Sequence, residues 1–480
     1  MSSSRDNTFY NNKLLITFFL AVCSALMLIN MSKMQTKWLL VFIMLVFFPI
    51  FVFIMGSLKK SLLSILIFSF SIRMDFNPWY GNSSFGIPIS LTGIAIIALY
   101  ILWFFEIMKE RGHLKIFPSV TIPMAILVAW SGFSFLVAAN FSPVLYGFTF
   151  ALEFLLCYFY IANLSDTKTL LPFTLNCIAV TVIFSSSVGI IQYFFPGRLN
   201  LQFLGWENDA LKLQYGTSLI TRAVGFLGHA NALATFLNCW LPILFVFSFI
   251  VEKSKYKILY MAALCIGIVA LILTFSRGGW LAFFFSIVLV MVILTFQDKK
   301  DIKFTKITRV FIATVVVIFI AALPFYPYIH ERLSRDDYDA ATNRITLAKT
   351  ALQIIKERPL TGTGLRNYES LTSYTPFVGN TPTVHNVYLH TAAELGIPAA
   401  LIFIYIYLLF FFKGLSVANS GDRITALFSL GLISGLAADF LHGMFELGNI
   451  GDPAFLPVAF MGGLVVCLKN LQDKNKPEQI

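Results

Sequence analysis

Charge is scarce in this sequence. Only 12% of its 480 residues are Asp, Glu, Lys or Arg, against roughly 25% in an ordinary soluble domain. So little charge cannot coat a water-soluble surface of this size. The apolar residues also lack strict alternation with polar ones, which excludes a membrane β-barrel. The six cysteines (Cys23, Cys157, Cys177, Cys239, Cys265 and Cys467) all fall within apolar runs. None has metal-ligand spacing and none sits in a polar loop suited to a disulfide, so they read as buried thiols. There is no P-loop and no Gly-x-Ser-x-Gly elbow, so ATP-driven transport and serine hydrolysis lose support. Internal repeats, low-complexity tracts and Pro-rich linkers are also missing.

What is present is apolar length. Fourteen apolar stretches run near 14–30, 38–56, 61–73, 91–107, 119–138, 144–163, 169–195, 229–251, 257–274, 279–297, 307–324, 389–412, 424–445 and 453–468. Runs of about 17–25 apolar residues cross a bilayer as helices. The fold class is therefore all-α and polytopic: one integral membrane domain over 1–480, with 12 to 14 spans because 61–73 and 453–468 are short. The first stretch is expected to be an uncleaved helix, since its core from Leu14 to Ile29 is long for a signal peptide. With a cytoplasmic N-terminus, the inner loops collect 21 of the 35 Lys and Arg, as the positive-inside rule requires. Both termini are then cytoplasmic, and 196–228, 275–279 and 325–388 lie outside.

The net charge of +11 is mostly this topology signal and does not indicate nucleic acid. The cation types are sorted, however. The inner side holds 17 Lys and 4 Arg, the outer side 5 Lys and 9 Arg. Topology does not ask for outer arginines. Arg grips phosphate or carboxylate through two parallel hydrogen bonds, which Lys cannot do. An outward-facing anion site is the reading.

Four places hold the candidates. Arg277 lies in Thr274-Phe275-Ser276-Arg277-Gly278-Gly279, between two spans, where the glycines are expected to leave backbone open to a ligand. The loop 325–388 is too long for a plain connector. From Asp339 to Glu357 it reads as an amphipathic helix, with Arg344 near its start, suited to the membrane surface. That helix stops at Pro359 and the glycines before Arg366. The loop ends at His385-Asn386, where a neutral imidazole has the right pKa to take a proton. Another outer segment, 197–228, carries Trp206, Tyr215 and Arg222, suited to headgroups or glycan. Asp439 lies deep in the span 424–445, followed by His442 and Glu446 at helical spacing. Ionisable groups inside a span flag function, a partner for an Arg or a proton path. No spacing matches a zinc or magnesium pattern, so no metal is expected.

At these residues the chain resembles the O-antigen ligase family, which includes O-antigen polymerases and protein O-oligosaccharyltransferases. The pieces that carry the likeness are Ser276-Arg277-Gly278-Gly279, Asn343-Arg344 leading to Arg358-Pro359-Leu360-Thr361-Gly362-Thr363-Gly364, and His385-Asn386-Val387-Tyr388-Leu389 with Glu394-Leu395-Gly396-Ile397. The resemblance is strongest over 220–412. It implies a GT-C-like glycosyltransferase of the bacterial inner membrane, with its active site on the periplasmic side and no cofactor. The implied donor is a glycan on undecaprenyl pyrophosphate. Arg277 and Arg344 would hold the pyrophosphate, and His385 would deprotonate the acceptor hydroxyl with inversion at the anomeric carbon. Arg222, Arg366, Asn386 and Asp439 are secondary candidates.

The first expectation is ligation of a finished glycan to lipid A-core in lipopolysaccharide biosynthesis. A polymerase of O-antigen or exopolysaccharide uses the same carrier, and a protein hydroxyl is a third acceptor. A transporter of lipid-linked sugars is the alternative from another class. The single large outer loop and the lack of visible inverted repeats count against it.

Overall fold

The computed structural model describes residues 47–73, 75–76, 86–110, 118–164, 167–196, 212–215, 218–250, 255–296, 312, 315–316, 319–320, 322–334, 338–368, 383–419, 422–446 and 450–474. The expected first span 14–30, most of 307–324, and Trp206 lie outside these residues. The protein is an all-α polytopic membrane protein. Its described strands form two short antiparallel hairpins, β1 (Asp75–Phe76) with β2 (Ile89–Ser90) and β3 (Lys212–Tyr215) with β4 (Ser218–Thr221).

The helices begin with α1 (Phe47–Met55) and α2 (Leu58–Ser69), bent by 113° at Gly56 and Ser57. Next come α3 (Leu91–Glu110), α4 (Thr121–Gly132), α5 (Ser134–Val137), α6 (Phe141–Ala162), α7 (Thr167–Phe194) and α8 (Ala230–Phe245). They continue through α9 (Lys257–Leu273), α10 (Arg277–Phe296), α11 (Tyr326–Ser334), α12 (Tyr338–Glu357), α13 (Val387–Ala418), α14 (Arg423–His442) and α15 (Leu456–Lys474). Among the described residues, eight are long and apolar enough to cross a membrane: α3, α6, α7, α8, α10, α13, α14 and α15. The bent α1–α2 pair adds a broken span or a re-entrant loop, and α9 and α4–α5 are shorter apolar helices.

α8, α14 and α15 form the centre, with 83%, 72% and 78% of their apolar windows buried, whereas α3 at 28% is peripheral. Small residues let backbones meet where lipid supplies no hydrophobic drive between helices. Gly431 of α14 admits Ile243 of α8, whose Cα would lie 2.6 Å from an added methyl, and Gly435 likewise faces the Cys239 carbonyl.

The feature that most constrains the loop after α12 is a break in α13. Gly396 has φ +84°, and Pro398 follows it. In a continuous helix Ile397 N–H would bond the Ala393 carbonyl, and the Glu394 carbonyl would need an N–H that Pro398 lacks. All three orphans are matched by the loop after α12. Ile397 N donates to Pro359 O (2.8 Å), Thr363 N to Ala393 O (2.9 Å), and Gly364 N to Glu394 O (2.8 Å). Trp130 Nε1 adds a donor to Leu395 O at 2.9 Å. A side chain at 396 would strike the Leu360 carbonyl. The two sequence pieces around 358–364 and 394–397 are thus one structural unit.

The buried Glu394 carboxylate extends that unit. It accepts from Arg366 N (2.8 Å) and Tyr368 N (3.1 Å), which holds Arg366 in its left-handed conformation, φ +56°. Asn367 exchanges two hydrogen bonds with the backbone of Asn140, and Leu365 N donates to Ser134 Oγ. α12 then packs Leu347, Ala351 and Ile354 against Tyr368, Val384 and Ala393. Its apolar stripe therefore rests on the protein, and only Ile345 and Leu352 stay exposed.

Gly396→Ala is expected to destabilise the protein by at least about 2 kcal/mol, since it meets both backbone strain and a carbonyl. Gly132→Ala, where the nearest atom is 3.6 Å away, is expected to be near neutral. Thermal unfolding in detergent checks the pair, and equal losses would contradict this account of the break.

Candidate active site

The ends of several helices converge on one cavity. Its wall is drawn from the end of α2 and β1 (Arg73, Asp75), the start of α8 (His229, Thr235), the start of α13 (Val387), the end of α14 (Asp439, Glu446) and the segment 452–455. These elements are far apart in sequence.

His385 is fixed by the way α13 begins. Asn386 is its N-cap, accepting from Tyr388 N (3.0 Å) and Leu389 N (2.9 Å). The same side chain donates to Met444 O (3.3 Å), and Val387 N donates to Gly443 O (2.8 Å). Tyr388 OH donates to Phe440 O at 2.5 Å. The entry to α13 is thus clamped to the end of α14, and Asn386 is committed to that clamp. Nδ1 of His385 is buried with no hydrogen-bond partner among the described residues. Burial, then the charges of Arg344 and His390, push this imidazole down to about 4. It is neutral at pH 7 and has a lone pair to offer.

The Ser276-Arg277-Gly278-Gly279 sequence proves to be packing chemistry around one arginine. Ser276 Oγ accepts from Gly279 N at 3.3 Å, opening α10. An added methyl on Gly278 would lie 3.0 Å from Phe445 and 3.2 Å from His442, and one on Gly279 2.8 Å from Ala234. The glycines therefore admit neighbouring helices, not the ligand that the sequence reading gave them. The preceding Phe275 is fully buried at φ +49°, a conformation costing about 1–3 kcal/mol in a bulky residue. Arg222 secures this strained turn: its Nε donates to Thr274 O (2.7 Å) and its Nη2 to Asn231 Oδ1 (3.0 Å). Arg277 is left on the first turn of α10, beside the 442–446 turn that also anchors Asn386.

The remaining candidates separate. Arg344 is exposed on α12 and acts on His385 through its charge. Arg366 lies over the Tyr146 ring (4.7 Å) and donates to Gly451 O (3.4 Å). Asp439 sits on the cavity wall, accepting from Tyr407 OH at 2.6 Å, with Cys239 Sγ at 3.7 Å. The ring nitrogens of His442 meet Thr235 Oγ1 (2.9 Å) and Ser276 Oγ (3.4 Å). Asp439, His442 and Glu446 therefore do not gather as ligands. Among the described residues no three His, Cys, Asp or Glu side chains are placed to hold a metal.

Two cavity residues escaped the sequence reading. Arg73 lines the cavity with its side chain still open to solvent. Burial alone would lower its pKa, but Asp452, Tyr146 and Asp75 together raise it, so it is a permanent cation. His229 caps α8, its Nδ1 accepting from Asn231 N at 3.3 Å. Burial, then Arg222, His385 and Arg73, push it down to about 4. The only sequence signal for Arg73 was its membership of the nine outer arginines.

A histidine neutral in the fold and protonated more readily when unfolded costs stability as pH falls. The protein is expected to lose stability between about pH 6.5 and pH 4, with His385 titrating near 4 in ¹³C-histidine NMR. Arg344→Ala removes a repelling cation and is expected to move that midpoint upward. A midpoint at 6.5 in the wild type would overturn the assignment.

The O-antigen ligase family model matches residues 261–404. No curated protein matches the chain. The matched stretch runs from α9 through Arg277, Arg344 and the 358–364 loop to His385 and the break in α13. Over residues 261–404 the chain is similar to the O-antigen ligase family.

Proposed function

We propose that this membrane protein transfers a glycan from undecaprenyl pyrophosphate to an acceptor hydroxyl, and that the reaction is ligation of O-antigen to lipid A-core. The observation that carries the reading is His385: a half-buried, neutral imidazole whose buried Nδ1 has no partner among the described residues, under the charge of Arg344 and two residues from Val387 on the wall of a cavity at the ends of the spans.

In the proposed reaction His385 removes the acceptor proton. The acceptor oxygen forms a bond to the anomeric carbon as the bond from that carbon to the pyrophosphate oxygen breaks. The configuration inverts. Arg277 and Arg344 stabilise the charge that collects on the leaving pyrophosphate, as fixed cations do best in a site sheltered from water. No metal or cofactor is assigned a role. A lipid-linked donor accounts for a site at the helix ends. The cavity would face the periplasm from the inner membrane, with both termini cytoplasmic. That orientation is supported by the 21 Lys and Arg collected on the other face.

The test is reconstitution with an undecaprenyl-pyrophosphate glycan and lipid A-core, without added metal or ATP, read by gel and mass spectrometry. Glycan on lipid A-core with wild type is the expected product. His385→Ala is expected to lower kcat about 10²–10⁴-fold, and Arg277→Ala about 10²–10³-fold. kcat/KM should stay flat above pH 5 and fall through an acid limb near pH 4, where His385 takes its proton. Longer lipid-linked chains without lipid A-core product would make the protein a polymerase. Glycan on a protein hydroxyl would make it a protein O-oligosaccharyltransferase. Full activity in both variants would sink the mechanism shared by all three.

A further inference from the structure

The cavity beside His385 is a poor place for an anion. Outside the spans its wall carries the carboxylates of Asp75, Glu446 and Asp452, against the single arginine Arg73. Arg73 is already matched: Asp452, Asp75 and the Tyr146 hydroxyl all act on it, and Tyr146 OH donates to Asp75 Oδ2 at 2.6 Å. A pyrophosphate entering here would meet more negative charge than positive. The cationic candidates Arg277 and Arg344 do not line this wall.

The same wall suits hydroxyl groups. Carboxylates accept two or more hydrogen bonds each, and a guanidinium donates several in a fixed plane. Phe70, Phe150 and Phe455 add apolar surface on which the C–H face of a sugar ring can rest. His229 supplies an independent pointer. Its Nδ1 accepts the Asn231 N–H, so in the neutral ring the proton sits on Nε2. His229 is therefore a hydrogen-bond donor on the cavity wall, not a base.

We infer that this cavity is a subsite for an uncharged sugar, held by Asp75, Asp452, Arg73 and His229, and that it disfavours sugars bearing a carboxylate. Its position assigns it to the acceptor. Val387, on the cavity wall, is two residues from His385, and the base must reach the acceptor hydroxyl. The assignment to the acceptor rests on the transferase reading, whereas the preference for uncharged sugar does not.

The experiment measures binding of oligosaccharides to the full chain in nanodiscs by saturation-transfer NMR and calorimetry. The probes are oligomers of neutral hexose, of N-acetylhexosamine and of hexuronic acid. At least one neutral probe should bind, with the hexuronate about tenfold weaker or more, as expected for one uncompensated charge. Asp452→Asn is the informative variant. Asp452 caps the turn at Pro453–Phe455 by accepting from Ala454 N at 2.9 Å, and Asn caps equally well. The fold is kept while one negative charge is lost, so the preference against hexuronate should shrink. Arg73→Lys should weaken the neutral probe about tenfold, because Lys cannot reproduce the planar fork. In transfer assays it should raise the acceptor KM and leave the donor KM alone. Hexuronate binding as tightly as the neutral probes, no saturable binding of any probe, or an unchanged preference in Asp452→Asn overturns the inference. Absence of glycan transfer by wild type with the sugar preference intact would instead count against the transferase reading alone.

Discussion

The loop after α12 is held in place by the way three backbone groups at the break in α13 are satisfied. Inside a bilayer there is no water to accept an orphaned N–H or carbonyl, so a broken helix survives only where protein supplies the partners. Here Pro359, Thr363 and Gly364 supply them. The consequence is long-range. The loop after α12 is held in one place, Glu394 can hold the 366–368 turn by its N–H groups, and α12 has a fixed bed in Tyr368, Val384 and Ala393. Arg344 rides on α12, and His385 lies next to Val384. Arg344 is thus placed through the bed under α12, whereas His385 is fixed by the Asn386 cap and its clamp to the end of α14.

The electrostatics follow from this placement. Burial and nearby cations keep His385 and His229 neutral, down at about 4, yet the two rings are oriented differently. His229 spends Nδ1 on its helix cap, whereas Nδ1 of His385 has no partner among the described residues. The cap fixes the proton of neutral His229 on Nε2, so that ring is arranged to donate. Outside the spans the cavity wall carries the carboxylates of Asp75, Glu446 and Asp452, whereas Arg344 acts on His385 without lining that wall.

The spans were legible because each is a long apolar run, and all eight that meet the length and hydropathy test coincide with stretches marked in the sequence. The helix at Tyr338–Glu357 was legible from its apolar stripe. Its partner was not, because a stripe that packs on lipid and one that packs on protein look alike in one dimension. Gly278 and Gly279 show the same ambiguity: a glycine announces a close approach without saying whether a ligand or a helix approaches. Arg73, His229 and Asp452 lie in three separate loops, and no local pattern joins them. Glu394 was visible within its motif, but its role as acceptor for two backbone N–H groups exists only once the chain folds back.

The most direct measurement is a cryo-electron-microscopy structure in nanodiscs with a non-reacting undecaprenyl-diphosphate sugar analogue. The account predicts the diphosphate against Arg277 and Arg344, with the anomeric carbon turned toward His385 and the Arg73–Asp452 cavity left for the acceptor. A diphosphate seated in that cavity, or bound on the opposite face of the helix bundle, would contradict it.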